Sequence, residues 1–167
     1  SRRQRQMCIR DSVITIDDIV FKIGPRINAA GRMEVDSDDE NAAPSGGHSA
    51  VYLMVARDEE VASEYGAFID TCNQDRKNID RSITQQAHEL IERNPEMKAR
   101  KSTVIYNPKW MKGIVGIVAS RLIETYYRPT VVLTMSNGFV TGSARSVPGF
   151  DLYQAVESCS DLLENFG

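Results

Sequence analysis

The sequence predicts an α/β protein in which a long helix precedes a small mixed β-sheet domain with flanking helices. An apolar period of three, four and seven residues runs from Val61 to Ile91 and is typical of an amphipathic helix. The order strand, helix, strand in "STVIYN", "IVGIVASRLIETYY" and "TVVLTM" favours parallel strands joined by a crossover helix. Asn137-Gly138 is typical of tight hairpin turns and predicts that "FVTGSARS" returns antiparallel to "TVVLTM".

Composition excludes several classes of protein. Hydrophobic residues make up 41% and charged residues 26% of the 167 residues, as in ordinary soluble globular domains. No apolar run approaches the roughly 20 residues of a membrane span, and the basic opening lacks the apolar stretch of a secretory signal. Three widely separated cysteines indicate neither a disulfide framework nor a zinc site. We therefore expect a cytoplasmic protein without membrane contact.

The chain up to residue 48 predicts little regular structure. Residues 1–12 carry arginines without apolar periodicity, and we expect a disordered lead-in without a function of its own. The stretch "VITIDDIVFKIG" predicts a short extended run and one helical turn, capped by Thr15 or Asp17 and ended by Pro25. From Pro25 to Gly47, glycine, proline, asparagine and aspartate predict a loop or linker.

Residues 49–95 predict helices, dominated by a single helix that begins after Asp58 and ends before Pro95. A helix of about 35 residues would span about 50 Å at 1.5 Å per residue, which is more than a small domain requires. We therefore expect it to connect two domains.

Residues 96–167 predict the sheet domain, which closes with a helix capped by Asp151. The expected apolar face of that helix consists of Leu152, Ala155, Val156, Cys159, Leu162, Leu163 and Phe166. Since a sheet of about three strands is small for a stable domain, we expect this domain to be truncated at its C-terminal side.

The stretch "TGSARSVPG" places two hydroxyls and one cation at the end of the returning strand. Alternation puts Ser143 and Arg145 on one face and Ser146 on the other, while Gly142 exposes its backbone. An arginine fork beside hydroxyl and backbone donors is suited to holding a phosphate. The alternative is a polar strand end whose arginine pairs with a carboxylate such as Asp151.

The stretch "KWMKGIVG" predicts a strand-to-helix junction. Outward-facing N–H groups of Gly113, Ile114 and Val115, together with the charge of Lys112, would attract an anion. Trp110 either stacks on a base or covers the sheet.

A third candidate is the loop "PRINAAGR", where Arg26, Asn28 and Arg32 either grip a backbone phosphate or clamp a neighbouring domain through carboxylates. Catalytic machinery is not evident. The acidic run from Asp36 to Glu40 lacks the spacing of a calcium loop, and the sequence contains no nucleophile elbow, P-loop or dinucleotide fingerprint. We expect no catalytic residue and no metal site in this chain.

Four ordered motifs resemble the RecJ family of single-stranded-DNA-specific exonucleases, in the DHH phosphoesterase superfamily. They are "FKIGPRINAAGRM", "NQDRK", "KGIVGIVASRLIETYYRPTVVLT" and "TGSARSVPGFDLYQAVESCSDLLENFG". The resemblance implies that residues 13–48 are the end of a DHH domain and a linker loop, that residues 49–95 are connecting helices, and that residues 96–167 are most of a DHH-associated domain.

The resemblance also implies an activity, which is hydrolysis of single-stranded DNA from 5′ to 3′ in DNA repair and recombination. Manganese or magnesium ions would be bound by the missing N-terminal DHH domain and would activate water there. This chain alone would therefore be inactive. Its expected partners are single-stranded DNA and the DHH domain, and we expect a monomer.

Carried over by matching motif, the resemblance implies roles for two groups of residues and for one residue of the long helix. The phosphate or DNA-backbone contacts would be Ser143, Arg145 and Ser146. The residues facing the channel between domains would be Arg26, Asn28 and Arg32. Arg76, in "NQDRK" on the long helix, would contact either the DNA strand or a domain of the protein.

One departure from the family pattern stands out, and one segment only looks like a family motif. Relatives commonly have Trp-His where this sequence has Trp110-Met111, and a thioether cannot replace an imidazole donor. The segment "GGHSAVY" at Gly46 is not the family's glycine-rich substrate-gripping segment, because it lacks the following Ala-Ala-Gly and lies before the long helix. Two alternatives stay open, a DHH-type phosphodiesterase of short oligonucleotides or cyclic dinucleotides, and a non-catalytic single-strand-binding module.

Overall fold

A computed structural model describes residues 14–33 and 46–167 of the chain. The predicted lead-in of residues 1–12 and the acidic run at residues 36–40 lie outside the described residues. The chain divides into two compact units, Ser1–Asp75 and Arg76–Gly167. Within the described residues, no helix combines the length and the apolar character needed to cross a membrane.

The first unit begins with helical structure where the sequence predicted a single turn and then a loop. Helix α1 (Ile16–Asp18) continues through a π-helical segment (Ile19–Ile23) into α2 (Gly24–Ala30). Thr15 caps α1 through a reciprocal pair of hydrogen bonds with Asp18, which confirms Thr15 as a cap.

Pro25 does not end this helical structure, which corrects the prediction. Proline cannot donate its backbone nitrogen and its ring crowds the preceding turn, so it is tolerated in the first turn of a helix. Here Pro25 lies in the first turn of α2, directly after the wider π-helical segment. The stretch "PRINAAGR" therefore begins as a helix and not as a loop.

Small residues allow the helices of the first unit to pack closely. Ala29 and Ala30 of α2 are fully buried, and Ala30 packs with Ala50 of α3 (Gly46–Val55) and with Ile69. A side chain at Gly46 would clash with the backbone of Ala30. The glycine that begins "GGHSAVY" is thus needed for helix packing in this unit.

The long helix is confirmed as α4 (Glu59–Glu92), a continuous helix of 34 residues. It begins in the first unit and ends in the second. In the second unit, Ile83, Ala87 and Ile91 are buried at steps of three, four and seven, so this part of the predicted apolar period is the buried face.

The second unit contains the predicted strand, helix, strand and hairpin. After the short helix α5 (Pro95–Ala99) come β1 (Thr103–Tyr106), α6 (Lys112–Tyr126), β2 (Thr130–Ser136) and β3 (Phe139–Arg145). The sheet order is β1-β2-β3, with β1 parallel and β3 antiparallel to β2.

The core of this unit lies between α6, α4 and the sheet. Its fully buried members include Ile114, Val118 and Leu122 of α6, Ile91 of α4 and Val132 of β2. This packing places α6 on the face of the sheet where the side chain of Val132 lies. The residues of β3 whose side chains lie on that same face therefore meet α6.

The hairpin between β2 and β3 turns at the predicted dipeptide. Asn137 and Gly138 have φ values of 49° and 79°, the left-handed conformation that this pair adopts readily. Further along β3, a side chain at Gly142 would clash with the carbonyl oxygen of Val132. Gly142 therefore lets β3 lie close to β2, in addition to exposing its backbone.

The C-terminal helix is shorter than predicted. Asp151 does cap it, since its Oδ1 accepts the N–H of Gln154 at 3.0 Å, but helix α7 covers only Leu152–Glu157 and a 3₁₀ turn follows at Ser160–Leu162. Leu162 is 79% exposed. The expected apolar face therefore has no continuous helix to display it, and an apolar period alone did not determine helix length here.

Candidate nucleic-acid interface

Ser143 and Arg145 lie side by side on β3, as alternation predicted. Their partners in the register are Val132 and Thr130, which are both fully buried, so the two residues are on the face of the sheet toward α6. The Nη1 group of Arg145 donates to Ser143 Oγ at 3.0 Å and to the carbonyl oxygen of Ala144 at 2.8 Å. These two bonds hold the guanidinium against its own strand.

Arg145 keeps its charge available for a ligand. Its side chain is exposed, and within residues 14–33 and 46–167 it forms no ion pair with a carboxylate. The alternative partner Asp151 is used as the cap of α7. A guanidinium carries five N–H donors, and Nη1 supplies both of the hydrogen bonds that Arg145 makes among the described residues, so Nε and Nη2 keep donors for a ligand.

Ser146 lies just beyond β3 and has a different position from the one predicted. Its hydroxyl donates to the carbonyl oxygen of Phe150 at 2.7 Å and approaches that of Val147 at 3.3 Å. A hydroxyl has only one proton, and here that proton closes the turn after the strand. Ser146 shapes the segment that follows Arg145 and does not donate toward Ser143.

Trp110 belongs to the hydrophobic core of the second unit. It is 3% exposed, and its indole Nε1 donates to Gln86 Oε1 at 3.0 Å. A base cannot stack on a ring whose faces are packed, so this position favours the alternative that Trp110 covers the sheet.

The tryptophan contact gives a stability prediction. Gln86→Ala leaves the buried indole N–H without its acceptor, and we expect a loss of about 1–3 kcal/mol in the free energy of unfolding, measured with urea. The control is Gln85→Ala, which removes only an exposed contact with Glu89 on the same helix. If Gln86→Ala instead weakened DNA binding with unchanged stability, the core assignment of Trp110 would be wrong.

The start of α6 differs from the predicted anion site. The N–H groups of Ile114 and Val115 both donate to the carbonyl oxygen of Met111, at 3.0 and 3.3 Å, and both residues are buried. Those donors are therefore satisfied within the protein, which corrects the prediction. Lys112 is the first residue of α6 and is exposed, so its charge remains on the surface.

The arginines of the first unit have mixed environments. Arg26 forms an ion pair with Asp70 of α4 and donates to the carbonyl oxygen of Lys22 at 2.6 Å. Asp70 lies in the same unit as Arg26, so this pairing is a contact within one unit and not a clamp on a neighbouring domain. Asn28 and Arg32 are exposed.

On the second unit, Arg76 is half-buried on α4. Its neighbourhood includes a feature that the sequence did not reveal. Asp80, one turn further along α4, is buried and bonded twice to Arg121 of α6, at 2.9 and 2.7 Å. This ion pair joins the two helices that support the sheet.

A shallow groove of about 470 Å³ lies between α4 and α6 and was also missed by sequence reasoning. His88 Nδ1 lies 3.1 Å from Tyr126 Oη, which donates to Glu92 at 3.1 Å. Hydrogen bonds from Lys98 and Tyr126 lower the pKa of the Glu92 carboxyl, whereas burial and Glu92 raise the pKa of Tyr126. The residues lining the groove are Arg81, Thr84, Gln85, His88, Glu89, Glu92 and Arg121. Cations and carboxylates balance here, so the groove does not select an anion.

The part of the chain that the structure describes contains no group of three or more His, Cys, Asp or Glu side chains arranged to hold a metal ion. These residues therefore do not fit a divalent-metal centre. What the second unit offers is an exposed guanidinium with an adjacent hydroxyl, which is the chemistry of anion binding.

Comparisons with known proteins identify relatives of the chain, although no family model matches. RecJ of Bacillus subtilis strain 168, a single-stranded-DNA-specific exonuclease, is 35% identical over 153 residues, which is 90% of this chain and 18% of the relative. RecJ of Haemophilus influenzae is 32% identical over 146 residues, covering 86% of this chain and 24% of the relative.

Solved structures agree with the sequence comparison. RecJ from Thermus thermophilus in complex with Mn²⁺ has a TM-score of 0.71 and 27% identity, covering 90% of this chain and 20% of that one. The same protein with Mg²⁺ gives the same TM-score and identity. The chain thus spans about a fifth of the length of the relatives it matches, and in sequence and in fold it corresponds to a segment of the RecJ exonuclease family.

Proposed function

We propose that this chain binds the phosphate backbone of single-stranded DNA, as part of a 5′-to-3′ exonuclease acting in DNA repair and recombination. The observation that carries the proposal is the exposed guanidinium of Arg145, which is held beside the Ser143 hydroxyl without a carboxylate partner among the described residues. An arginine fork with an adjacent hydroxyl is a common arrangement for contacts to phosphate oxygens.

Electrostatics supports a local contact. The chain has a formal net charge of −3, so its overall field does not attract DNA. Binding then depends on individual cations at the surface, and Arg145 and Lys112 are exposed cations of the second unit near the ends of β3 and α6. Asn28 and Arg32 are proposed as further contacts from the first unit.

The relatives favour DNA over the other phosphodiester substrates. Those named above are single-stranded-DNA-specific exonucleases. We propose that bond cleavage in the whole protein depends on Mn²⁺ or Mg²⁺ bound by a DHH domain, with residues 13–48 ending that domain and residues 49–95 connecting it to the sheet domain. We further propose a cytoplasmic monomer.

The proposal is tested by comparing ligands. We expect the 167-residue chain to bind a fluorescent oligothymidylate more tightly than the duplex formed from it and oligoadenylate, measured by fluorescence anisotropy at fixed salt. Preferential binding of the duplex would contradict the proposal. Displacement of the oligothymidylate by an equal concentration of a cyclic dinucleotide would favour the phosphodiesterase alternative.

The same mixture incubated with Mn²⁺ provides the control for cleavage. The described residues hold no cluster of metal ligands, so we expect the labelled strand to remain intact. Shortening of the strand would show that a metal site exists in the chain and would contradict the assignment of cleavage to a separate domain.

A further inference from the structure

We propose that Gly116 of α6 is a positioning residue for DNA binding, because its missing side chain lets Ser143 and Arg145 lie against the helix as one donor pair. The inference rests on the proposed function and goes beyond it, since Gly116 itself donates nothing to a ligand. It assigns a role to a glycine in the middle of a helix.

The contact distances show how closely the pair approaches the helix. A Cβ at Gly116 would lie 3.1 Å from Ser143 Oγ, 3.3 Å from Arg145 Nη2 and 3.4 Å from Ser143 Cβ. Distances of this size are tighter than most real Cβ contacts, so either side chain would have to move to admit even a methyl group. Ser143 and Arg145 therefore pack directly against the backbone of α6 at Gly116.

Helix propensity alone does not favour glycine at this position. Glycine in a helix interior costs about 1 kcal/mol relative to alanine. The neighbours Val115 and Val118 are buried core residues, so α6 is fixed in place and cannot shift to make room for a side chain at Gly116. The glycine is therefore explained by the space that Ser143 and Arg145 need, and not by helix stability.

The arrangement leaves two donors on the same side. Ser143 Oγ accepts from Arg145 Nη1, so its own proton is available to donate, and Arg145 Nη2 lies on the Gly116 side as well. One phosphate oxygen can contact both donors only while they stay paired. A side chain at Gly116 separates them or pushes them away from the helix.

The test compares Gly116→Ala and Gly116→Leu with the same changes at Gly66. Gly66 is also a helix-interior glycine, in α4, but a Cβ there has no neighbour within 4 Å. Binding of a fluorescent oligothymidylate to the 167-residue chain is measured over a range of salt concentrations. We expect Gly66 variants to bind as the unsubstituted chain does, Gly116→Ala to bind more weakly, and Gly116→Leu to lose about tenfold, as for one charge-assisted hydrogen bond.

A combined substitution separates positioning from a general structural effect. Because Gly116 acts through Ser143 and Arg145, adding Gly116→Leu to the double variant Ser143→Ala with Arg145→Ala should not weaken binding further. Fully additive losses would overturn the inference. If Gly116→Leu loses its helical circular dichroism, the binding of Gly116→Ala decides the question, because alanine favours the helix.

The outcomes also distinguish this inference from the proposed function. Unchanged binding in Arg145→Ala would overturn the phosphate contact itself. Weaker binding in Arg145→Ala, together with unchanged binding in Gly116→Ala and Gly116→Leu, would overturn only the role of Gly116.

Discussion

Replacing Arg145 with alanine is expected to weaken binding of single-stranded DNA by roughly 10- to 100-fold, because a hydrogen bond to a charged group contributes about 1.5–3 kcal/mol. The side chain is exposed and its hydrogen bonds go only to Ser143 and Ala144 among the described residues, so the free energy of unfolding should change by no more than about 0.5 kcal/mol. The loss of affinity would thus reflect the missing contact and not a damaged fold.

The salt dependence of binding identifies the nature of that contact. For single strands the logarithm of affinity falls with the logarithm of salt concentration at a slope of about −0.7 per phosphate neutralised. Arg145→Ala should make the slope shallower by about that amount, whereas Arg145→Lys keeps the charge but loses the fork. The matched control is Arg93→Ala, which removes an exposed arginine just after α4 whose partner is Glu89, four residues earlier. Equal changes in slope for Arg145→Ala and Arg93→Ala would contradict a specific contact.

Arg121→Ala is expected to lower the free energy of unfolding by about 3 kcal/mol, the lower end of the range for breaking a buried ion pair. Asp80 is 1% exposed and accepts two hydrogen bonds from Arg121, at 2.9 and 2.7 Å. Without the guanidinium, a buried carboxylate is left without its partner. The lower end applies because the side chain of Arg121 is 48% exposed, so water already solvates part of the pair.

Removing the buried charge should recover part of this loss. The double variant Arg121→Ala with Asp80→Ala lacks the unpaired carboxylate, so we expect it to unfold at a higher urea concentration than Arg121→Ala alone. A cost below about 1 kcal/mol for Arg121→Ala would mean that the pair behaves as a surface ion pair. A double variant less stable than Arg121→Ala would contradict the buried-charge explanation.

The sequence predicted the elements that depend on local patterns. The apolar period of α4, the alternation of β3 and the turn at Asn137-Gly138 each follow from contacts within a few residues, and the structure contains all three. The pairing of Ser143 with Arg145 follows from the same alternation, since residues two apart on a strand share a face.

Features that depend on tertiary packing were not predictable in the same way. Proline and glycine in "GPRINAA" indicated a loop, but a π-helical segment precedes Pro25 and lets the helix continue. The environment of Trp110 is not predictable from the sequence, because a single tryptophan fits both a core and a binding face. Its acceptor, Gln86, lies 24 residues earlier in the chain.

Long-range polar contacts were missed altogether. Arg128 is buried and donates to Thr103 Oγ1 at 2.7 Å and to the carbonyl oxygen of Met97 at 3.1 Å, so it links the end of α5 to β1. The pair of Asp80 and Arg121 is separated by 41 residues. No local pattern distinguishes such charged residues from exposed ones, because burial depends on how distant elements pack.

The most direct test of the phosphate contact is nuclear magnetic resonance of the Arg145 side chain. The Nε–H signal, assigned by its loss in Arg145→Lys, is followed while oligothymidylate is added to the ¹⁵N-labelled chain. We predict a saturable shift that disappears at high salt and in Gly116→Leu. A signal that stays fixed while the chain binds the DNA would show that the strand lies elsewhere and would contradict the central claim.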